Sequence, residues 1–336
     1  MPVKQRIAII GAGSWGTALA IVSARAGHDV YLWSRNAEVA ASINERKINE
    51  RYLTSATIPD GVTATTSIES AVANASAIII AAPSHAVRQL LVDTSASLPT
   101  ASLIVSATKG IEVESGKRIS EIVSEVVGQN ALKRFVCLSG PSFAEEVVQG
   151  HPTAVVAASV NDEAAQMVQR SLSFETLRIY TNNDVVGTEL GGAVKNVMAI
   201  AAGMVSGLGF GANTLAALIT RGLAEMSRLA LVSDAQIETL MGLAGLGDLV
   251  LTCTGKLSRN RFVGEELGKG KTLTQITSNM NEVAEGIKTT LGVKQLADRA
   301  GLEMPITNEV KSVLYDGKSV QAAVSDLLSR PLKHEK

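Results

Sequence analysis

Short apolar runs alternate with longer segments of helical spacing through the first half of the chain. Runs of four or five apolar residues are typical of buried strands, and apolar positions that recur every three or four residues are typical of amphipathic helices. The predicted strands are Ile7–Ile10, Asp29–Trp33, Ile78–Ala82, Leu103–Ala107, Val136–Ser139, Ala154–Ala158 and Leu177–Tyr180. The helix-like segments are Thr17–Arg25, Ala37–Arg46, Ile68–Ala73, Ala86–Ala96, Arg118–Val127, Ala144–Gln149 and Asp162–Leu172. This alternation predicts βαβ units and a mostly parallel sheet with helices on its faces.

The pattern changes near Asn183, after which the chain carries almost no strand signal. The helices predicted there are Glu189–Ala202, Thr214–Ser227, Asp234–Leu240, Arg261–Leu267, Ile287–Ala300, Ile306–Leu314 and Val320–Leu328. We therefore predict an α/β fold in which a mostly parallel amino-terminal sheet is followed by an all-α carboxy-terminal domain. The expected domains are residues 1–187 and residues 188–336.

One uncharged stretch, Asn196–Thr220, is long enough to cross a bilayer. It contains Gly203, Gly207, Gly209 and Gly211, which are expected to break it into shorter helices. This composition predicts buried helices of a globular domain rather than a membrane span. No signal peptide is recognisable, because the first predicted strand begins almost at the amino terminus.

The charge balance argues against a nucleic acid or an anionic membrane as the main partner. Lys and Arg number 31 against 32 Asp and Glu, for a net charge of −1, and aromatic residues make up only 3% of the 336. The two cysteines, Cys137 and Cys253, are far apart, which excludes a disulfide framework and is typical of a reducing compartment such as the cytoplasm. The four histidines are scattered without metal-ligand spacing, so we predict no metal site.

A glycine-rich turn follows the first predicted strand directly. Arg6–Ile10 runs into Gly11-Ala12-Gly13-Ser14-Trp15-Gly16, and the first helical segment begins at Thr17. In this arrangement Gly11 permits the tight turn, Gly13 lets backbone N–H groups approach a pyrophosphate, and Gly16 lets the helix pack on the strand. The partial positive charge at the helix N-terminus favours the phosphates. The motif predicts a Rossmann-type dinucleotide site, with an ordinary strand–helix turn as the alternative.

The second predicted strand ends in Ser34-Arg35-Asn36 and has no carboxylate at its tip. NAD sites usually carry an acidic residue there for the ribose 2′-hydroxyl, whereas a guanidinium suits the 2′-phosphate of NADP. We therefore expect NADP to be preferred and NAD to remain possible. The alternative is that Arg35 is a surface arginine, which leaves the preference undecided, and Glu38 one turn later could weaken it.

Polar groups follow three of the predicted strands, at the sheet edge where ligands of such folds bind. They are Pro83-Ser84-His85, Thr108-Lys109-Gly110 and Ser139-Gly140-Pro141-Ser142. Lys109 at a strand tip is suited to holding an anion or a carbonyl oxygen, and the alternative is a solvated loop lysine.

Two residues of the helical half are candidates for acid–base chemistry. Lys195 is the last charge before the neutral stretch and has small or apolar flanks, so we expect a partly buried ammonium with a lowered pKa. Asp248 lies between glycines and an apolar run, where it could orient Lys195 or accept a substrate hydroxyl. The alternatives are a lysine that reaches solvent at a helix end and an aspartate that caps a helix.

Ser258-Arg259-Asn260 places a hydroxyl, a guanidinium and an amide side by side. This set suits a phosphate, because charged and neutral donors converge on one short segment. The alternative is a solvated basic loop or a capped helix start.

Over nearly its full length the chain resembles the bacterial NAD(P)-dependent sn-glycerol-3-phosphate dehydrogenases. The motifs that carry the resemblance are Gly11–Ala18, Ala107–Gly110, Ser139–Ala144, Gly191–Asn196, Ile219–Met226, Gly245–Leu249, Ser258–Asn260 and Val283–Gly286. The resemblance implies reversible hydride transfer between NAD(P)H and C2 of dihydroxyacetone phosphate, which gives sn-glycerol 3-phosphate for phospholipid synthesis. It also suggests a homodimer.

The resemblance further implies roles for individual residues. Lys195 is the implied proton-transfer residue, with Asp248 and Lys109 beside it. The implied substrate-binding residues are Lys109, Gly140, Ser142, Lys195, Asp248, Ser258, Arg259 and Asn260. The implied coenzyme-binding residues are Ser14, Trp15, Arg35, Lys109, Ala144, Arg259, Val283 and Glu285. They add to Gly11, Gly13 and Gly16 of the glycine-rich turn.

The residues favour reduction over oxidation at neutral pH. A lysine has a reference pKa of about 10.4, so Lys195 starts protonated and can donate a proton to the alkoxide that forms at C2. Two other functions stay open: a dehydrogenase of the same plan for a β-hydroxy acid or a sugar phosphate, and a sensor that binds NADP without turnover. The presence of Lys195, Asp248 and Arg259 together argues against the sensor.

Overall fold

The computed structural model describes residues 4–278, 280, 282, 284–332 and 334, and in these residues eight strands form one sheet. The strands are β1 (Arg6–Ile10), β2 (Asp29–Trp33), β3 (Val62–Thr65), β4 (Ala77–Ile80), β5 (Leu103–Ser106), β6 (Phe135–Ser139), β7 (Thr153–Ala158) and β8 (Leu177–Asn182). Their order across the sheet is β3-β2-β1-β4-β5-β6-β7-β8. All neighbours are parallel except β6 and β7, which confirms the mostly parallel sheet.

The central strands β1, β4, β5 and β6 are apolar at nearly every position because both faces of the sheet are covered there. Ile7 and Ile9 of β1 pack in the cluster that includes the first helix, whereas Ala8 and Ile10 belong to a cluster on the other face. The helices of this half are α1 (Ser14–Arg25), α2 (Ala37–Ala41), α3 (Ile68–Val72), α4 (Val87–Thr94), α5 (Ile119–Val126), α6 (Ala144–Val148) and α7 (Asp162–Leu172). Successive side chains of β1 therefore point to opposite faces of the sheet, and both faces are buried.

The remaining described chain is helical, as expected. Its helices are α8 (Val185–Gly207), α9 (Ala212–Leu231), α10 (Ile237–Met241), α11 (Asp248–Thr254), α12 (Arg259–Gly268), α13 (Leu273–Thr277), α14 (Glu285–Arg299), α15 (Pro305–Tyr315) and α16 (Val320–Leu328). Helix α8 lies at the centre of this half and contacts α9, α11, α12 and α14. It is the one helix among the described residues long and apolar enough to cross a membrane, and 89% of its apolar window is buried inside the protein.

The expected break at the glycines of α8 was wrong for Gly203. This residue lies within the helix, and a Cβ placed on it would meet the carbonyl oxygen of Arg261 at 2.0 Å. The opposite residue on α12, Gly264, would bring a Cβ to 1.9 Å from the carbonyl oxygen of Ile200. These glycines serve close helix packing, and the chain breaks only after Gly207.

Several short elements were missed from the sequence. Strand β3 has only four residues, and helices α11 and α13 have seven and five, which is too short for a clear period. A π-helical turn over Leu243–Gly247 leads into α11 and positions its first residue.

Candidate active site

A crevice of about 1060 Å³ opens at the carboxyl ends of β1, β2, β4 and β5 and is closed on the other side by α8, α11 and α12. Strand β1 is flanked there by β2 and β4, so the chain order reverses at this point, where open α/β sheets bind ligands. The predicted site residues that line it are Gly11, Gly13, Ser14, Trp15, Arg35, Lys109, Ser142, Lys195, Ser258, Arg259, Asn260 and Glu285. Residues from both halves of the chain therefore meet around one cavity.

The glycine turn has the tight geometry that its sequence predicts. Gly11 has a φ of +117°, and a Cβ there would lie 2.6 Å from the carbonyl oxygen of Ala81 on the neighbouring strand. A Cβ on Gly16 would lie 1.8 Å from the carbonyl oxygen of Gly11, so only glycine lets α1 approach the turn. Helix α1 begins at Ser14, and the N–H of Ser14 donates a hydrogen bond to the carboxylate of Glu282.

The turn fits the phosphates of a dinucleotide. The carboxylate at Ser14 is that of Glu282, whose Oε1 accepts hydrogen bonds from the Ser14 N–H at 3.1 Å and from the Ser14 hydroxyl at 2.7 Å. An anion is thus already bound where the helix N-terminus favours negative charge. A pyrophosphate needs backbone N–H donors that it can approach closely, and the glycine turn with the start of α1 provides them.

Arg35 follows β2 and lies exposed at the same end of the crevice. Asn36 caps α2 by accepting from the N–H groups of Glu38 and Val39, which turns the chain so that Glu38 sits in the first turn of that helix and is exposed. Arg35 has the location expected for a group that contacts the ribose of a bound dinucleotide.

The buried Asp248 pairs with two lysines that line the crevice, the buried Lys195 and the partly buried Lys109, and the three residues form one cluster. Asp248 Oδ1 accepts from Lys195 Nζ at 2.7 Å, and its Oδ2 accepts from Lys109 Nζ at 2.6 Å. Lys109 Nζ also donates to the carbonyl oxygen of Gly140 at 2.9 Å. Two cations face one anion, so the cluster carries a net charge of +1 that suits a negatively charged ligand or intermediate.

The pKa values of the cluster follow from burial and from these charges. Burial lowers the pKa of Lys195 from 10.5 to about 8, with Asp248 opposing the change and Lys109 adding to it. Burial disfavours the ionised form of Asp248, but Lys109 and Lys195 outweigh it and hold the pKa of that carboxyl below its usual value. At neutral pH Lys195 is therefore a protonated acid that loses its proton more readily than an ordinary lysine.

Glycines let this cluster assemble. A Cβ on Gly191 of α8 would lie 2.5 Å from the carbonyl oxygen of Ala244, in the turn that leads to Asp248. A Cβ on Gly192 would lie 2.8 Å from the Ser139 hydroxyl and 3.4 Å from Cγ of Lys109. The two glycines before Lys195 thus admit the other members of the cluster.

Two further residues that line the crevice, Thr252 and Asn196, were given no role from the sequence. Lys195 Nζ donates to the Thr252 hydroxyl at 2.8 Å, and that hydroxyl donates to the backbone carbonyl of Asp248 at 2.6 Å. Asn196 Oδ1 accepts from Asn260 Nδ2 at 2.9 Å. The i, i+4 spacing of Asp248 and Thr252 is a signal that could have identified Thr252 once a helix was predicted there.

The Ser258-Arg259-Asn260 segment forms the start of α12, and its residues already have partners. The Ser258 hydroxyl caps the helix by accepting from the N–H of Arg261 at 3.2 Å. Asn260 is buried between Asn196 and the N–H of Gly286, which donates to its Oδ1 at 2.9 Å. Arg259 is half exposed and pairs with Glu282, so Arg259 is the member of the segment with the most freedom.

The other predicted residues have varied positions. Gly140 contributes its carbonyl oxygen to Lys109, and the Ser142 hydroxyl donates to the same oxygen at 3.1 Å. Glu285 Oε2 accepts from the Ser84 hydroxyl at 2.8 Å. Ala144 begins α6 outside the crevice lining, and Val283 lies outside the described residues.

Metal-ligand chemistry has no candidate cluster in the part of the chain that the structure describes, where no group of three His, Cys, Asp or Glu side chains could hold an ion. The two cysteines are buried and unpaired. Burial raises the pKa of the Cys253 thiol to about 12, which leaves it protonated and inert at neutral pH.

Comparisons with known proteins identify one family over both halves. Residues 6–165 match the description "NAD-dependent glycerol-3-phosphate dehydrogenase N-terminus", and residues 184–325 match the corresponding C-terminus. A curated relative, glycerol-3-phosphate dehydrogenase (NAD(P)+) of Koribacter versatilis, is 52% identical over 97% of this chain and 98% of its own length. The enzyme of the same name from Geobacter sp. is 47% identical over 99% of each. The crystal structure of glycerol-3-phosphate dehydrogenase from Coxiella burnetii is 40% identical, covers 98% of this chain and 100% of its own, and superposes with a TM-score of 0.94.

Proposed function

Because the chain belongs to the NAD-dependent glycerol-3-phosphate dehydrogenase family, we propose that the crevice is its active site and that Lys195 is its proton donor. The chain is an NAD(P)-dependent oxidoreductase of sn-glycerol 3-phosphate, which it forms from dihydroxyacetone phosphate for glycerophospholipid synthesis.

The buried pairing of Lys195, Asp248 and Lys109 carries the proposal. The ammonium of Lys195 is held at a fixed position by Asp248 and Thr252 and lies on the crevice lining. A general acid must be positioned within hydrogen-bond reach of the group that it protonates, and a pKa near the working pH makes it efficient. The pKa of Lys195, about 8, meets the second condition.

The reduced nicotinamide coenzyme supplies the hydride when it is bound. Lys195 donates a proton to the oxygen on C2 of the ketone as negative charge develops there, and in the reverse direction its neutral amine accepts the proton. Asp248 orients the ammonium and keeps it charged, and Lys109 stabilises the same oxygen or the ligand beside it. These roles use the excess positive charge of the cluster.

The proposed coenzyme-binding residues are the glycine turn with Gly11, Gly13, Ser14, Trp15 and Gly16, together with Arg35, Lys109, Ala144, Arg259, Val283 and Glu285. The N-terminus of α1 binds the pyrophosphate in this proposal. The exposed guanidinium of Arg35 supports a preference for NADP, with NAD also used.

The proposed substrate-binding residues are Lys109, Gly140, Ser142, Lys195, Asp248, Ser258, Arg259 and Asn260. Among them Arg259 has a half-exposed guanidinium at the crevice, which suits the phosphate of dihydroxyacetone phosphate. Binding the phosphate away from the reacting carbon orients the ketone.

Steady-state kinetics test this assignment with two ketones that differ only in the phosphate. The protein should reduce dihydroxyacetone phosphate with NADPH and use unphosphorylated dihydroxyacetone poorly. At saturating NADPH, which offsets any loss of coenzyme affinity, Arg259→Ala should lower kcat/KM for the phosphorylated ketone by about 100-fold, since a charge-assisted contact is lost, and should change the value for dihydroxyacetone little. Arg170→Ala, on the exposed face of α7, is the matched control. Equal use of the two ketones would contradict the phosphate assignment.

Three further properties complete the proposal. We place the domain boundary near residue 187, so that residues 1–187 bind the coenzyme and residues 188–336 supply the catalytic lysine. We also propose that the protein acts in the cytoplasm as a homodimer. Analytical ultracentrifugation tests the oligomeric state directly.

A further inference from the structure

Glu282 joins two functional regions of the crevice through a single carboxylate. Its Oε1 accepts from the N–H and the hydroxyl of Ser14, and its Oε2 accepts from Arg259 Nη1 at 2.6 Å. The Glu282 side chain is 18% exposed, whereas that of Arg259 is 46% exposed. The carboxylate therefore reaches inward from the crevice rim to the start of α1.

The place that Glu282 occupies is the anion-binding end of the glycine turn. A Cβ on Gly13 would lie 3.7 Å from Glu282 Oε1, so the carboxylate sits directly over the glycine that admits the pyrophosphate. The N–H of Ser14 is one of the donors at the N-terminus of α1 that have no partner within the helix, and it can bind only one anion at a time. Two anions at these donors would also repel each other, so a pyrophosphate can bind there only when Glu282 leaves.

The same carboxylate engages the guanidinium of Arg259. Arg259 is the residue assigned above to the substrate phosphate, and its ion pair with Glu282 keeps it turned towards the glycine turn. Departure of Glu282 from Ser14 would remove the anchor that holds this pair in place. One displacement thus opens the pyrophosphate site and frees a phosphate-binding cation.

We propose, on the basis of the function proposed above, that Glu282 is an internal anion that competes with the coenzyme pyrophosphate and releases Arg259 to the substrate when it is displaced. Coenzyme binding then strengthens substrate binding, and substrate strengthens coenzyme binding by the same factor. Glu282 lowers coenzyme affinity in the free protein and couples the two ligands.

Calorimetric titration of the coenzyme-free protein tests the competition without relying on turnover. The variants are Glu282→Ala, which removes the carboxylate, and Glu282→Gln, which keeps its shape and removes its charge. The probes are NADP+ and 2′-AMP, which carries the 2′-phosphate but no pyrophosphate. NADP+ should bind about five- to tenfold more tightly to both variants, as expected for losing a competing charge-assisted contact, and 2′-AMP affinity should stay within about twofold.

A second titration measures the coupling. sn-Glycerol 3-phosphate should bind the wild-type protein more tightly when NADPH is present, a pair between which no hydride transfer can occur, and this gain should shrink in Glu282→Ala because Arg259 is already free. Glu163→Gln, which removes an exposed carboxylate on α7, is the charge-matched control and should behave as wild type.

The outcomes separate this inference from the proposed function. Unchanged NADP+ affinity in both Glu282 variants, or an equal gain for 2′-AMP, would overturn the competition while leaving the active-site assignment intact. Failure of both NADP+ and NAD+ to bind the wild-type protein would overturn the assignment itself. If the ion pair between Glu282 and Arg259 were only a surface contact, its removal would change none of these affinities.

Discussion

At the scale of single residues, the function depends on two lysines that share one aspartate. Lys195 and Lys109 contact different oxygens of the buried Asp248, so each ammonium has an anionic partner. Burial nevertheless brings the pKa of Lys195 down to about 8. This value allows the residue to release and recover a proton near physiological pH.

The first prediction concerns the pH dependence of the two reaction directions. Reduction needs the protonated ammonium, so kcat/KM for dihydroxyacetone phosphate should fall as pH rises above about 8. Oxidation of sn-glycerol 3-phosphate needs the neutral amine and should rise through the same pH range. Lys195→Ala should lower kcat by about 10²- to 10⁴-fold in both directions and abolish this limb of the profile, measured from pH 6.5 to 10 by NADPH absorbance.

Asp248→Asn provides the companion measurement. Asp248 raises the pKa of Lys195, so its loss should shift the limb to lower pH while circular dichroism verifies the fold. A limb that stays in place in both variants would mean that another group titrates.

Long-range contacts limit what can be predicted for single residues. Lys195 and Asp248 were identifiable because small and apolar neighbours surround an isolated charge in each local sequence. Glu282 was missed, since its contact with Ser14 joins positions far apart in the chain and nothing in its own segment indicates the partner. Arg259 was predicted as a phosphate ligand, but its ion pair with Glu282 was not.

At the scale of elements, the position of α12 depends on a glycine seam with α8. Gly203 and Gly207 of α8 face Gly264 and Gly268 of α12, and a Cβ on any of them would lie within 2.9 Å of backbone atoms of the other helix. Because α12 begins at Arg259, the distance between α8 and α12 at these glycines determines where the Arg259 guanidinium lies in the crevice.

The second prediction tests the seam with Gly264→Ala. The added methyl group would lie 1.9 Å from the carbonyl oxygen of Ile200, so the helices must separate. We expect the free energy of unfolding to fall by about 1–3 kcal/mol in urea titrations, with a rise in KM for dihydroxyacetone phosphate. Gly211→Ala, where a Cβ meets nothing within 4 Å and only the N-cap preference of α9 for glycine over alanine is lost, should lower the free energy of unfolding by no more than about 0.5–1 kcal/mol and leave KM unchanged. Equal effects of the two substitutions would argue against the seam.

Helices and strands could be predicted from the sequence where the apolar pattern was long. Prediction was less successful where contacts with other elements determine the local structure. The predicted strands agree with the observed ones within about two residues, because buried strands of a parallel sheet are apolar almost throughout. Strand β3 escaped prediction because its Thr63 and Thr65 leave only two apolar positions in four residues. The helix break predicted at Gly203 was wrong because a glycine that weakens an isolated helix can also allow two helices to pack closely.

At the scale of the whole molecule, a buried carboxylate ties the helical half to the sheet half. Glu189 of α8 accepts from Arg118 Nη1 at 2.8 Å and from the N–H and hydroxyl of Ser120 at 2.7 and 2.6 Å. Burial raises the pKa of Glu189 above its ordinary value, although Arg118 and Ser120 oppose the change. Glu189 therefore binds a proton more readily in the folded protein than in the unfolded chain.

The third prediction follows from this raised pKa. Between the ordinary pKa of a glutamate and the raised one, the folded protein binds more protons than the unfolded chain, so stability from this group is present at lower pH and is lost as pH rises. Glu189→Gln should therefore show a smaller decline in unfolding free energy from pH 5 to 8 than wild type, measured by urea titration. The exposed Glu163→Gln should keep the wild-type slope. A wild-type slope in Glu189→Gln would assign the dependence to other groups.

Helix α8 also has a consequence for how the protein is made. A ribosome that has synthesised the chain through Asn182 has already delivered every strand of the described sheet, so that half can begin folding while translation continues. The next segment to emerge is the most apolar helix, and its covering partners α12 and α14 follow only with residues 259–299. Until those helices emerge, the apolar side chains of α8 that they later cover stay exposed on the nascent chain, and such surface makes the folding intermediates of larger proteins prone to aggregate.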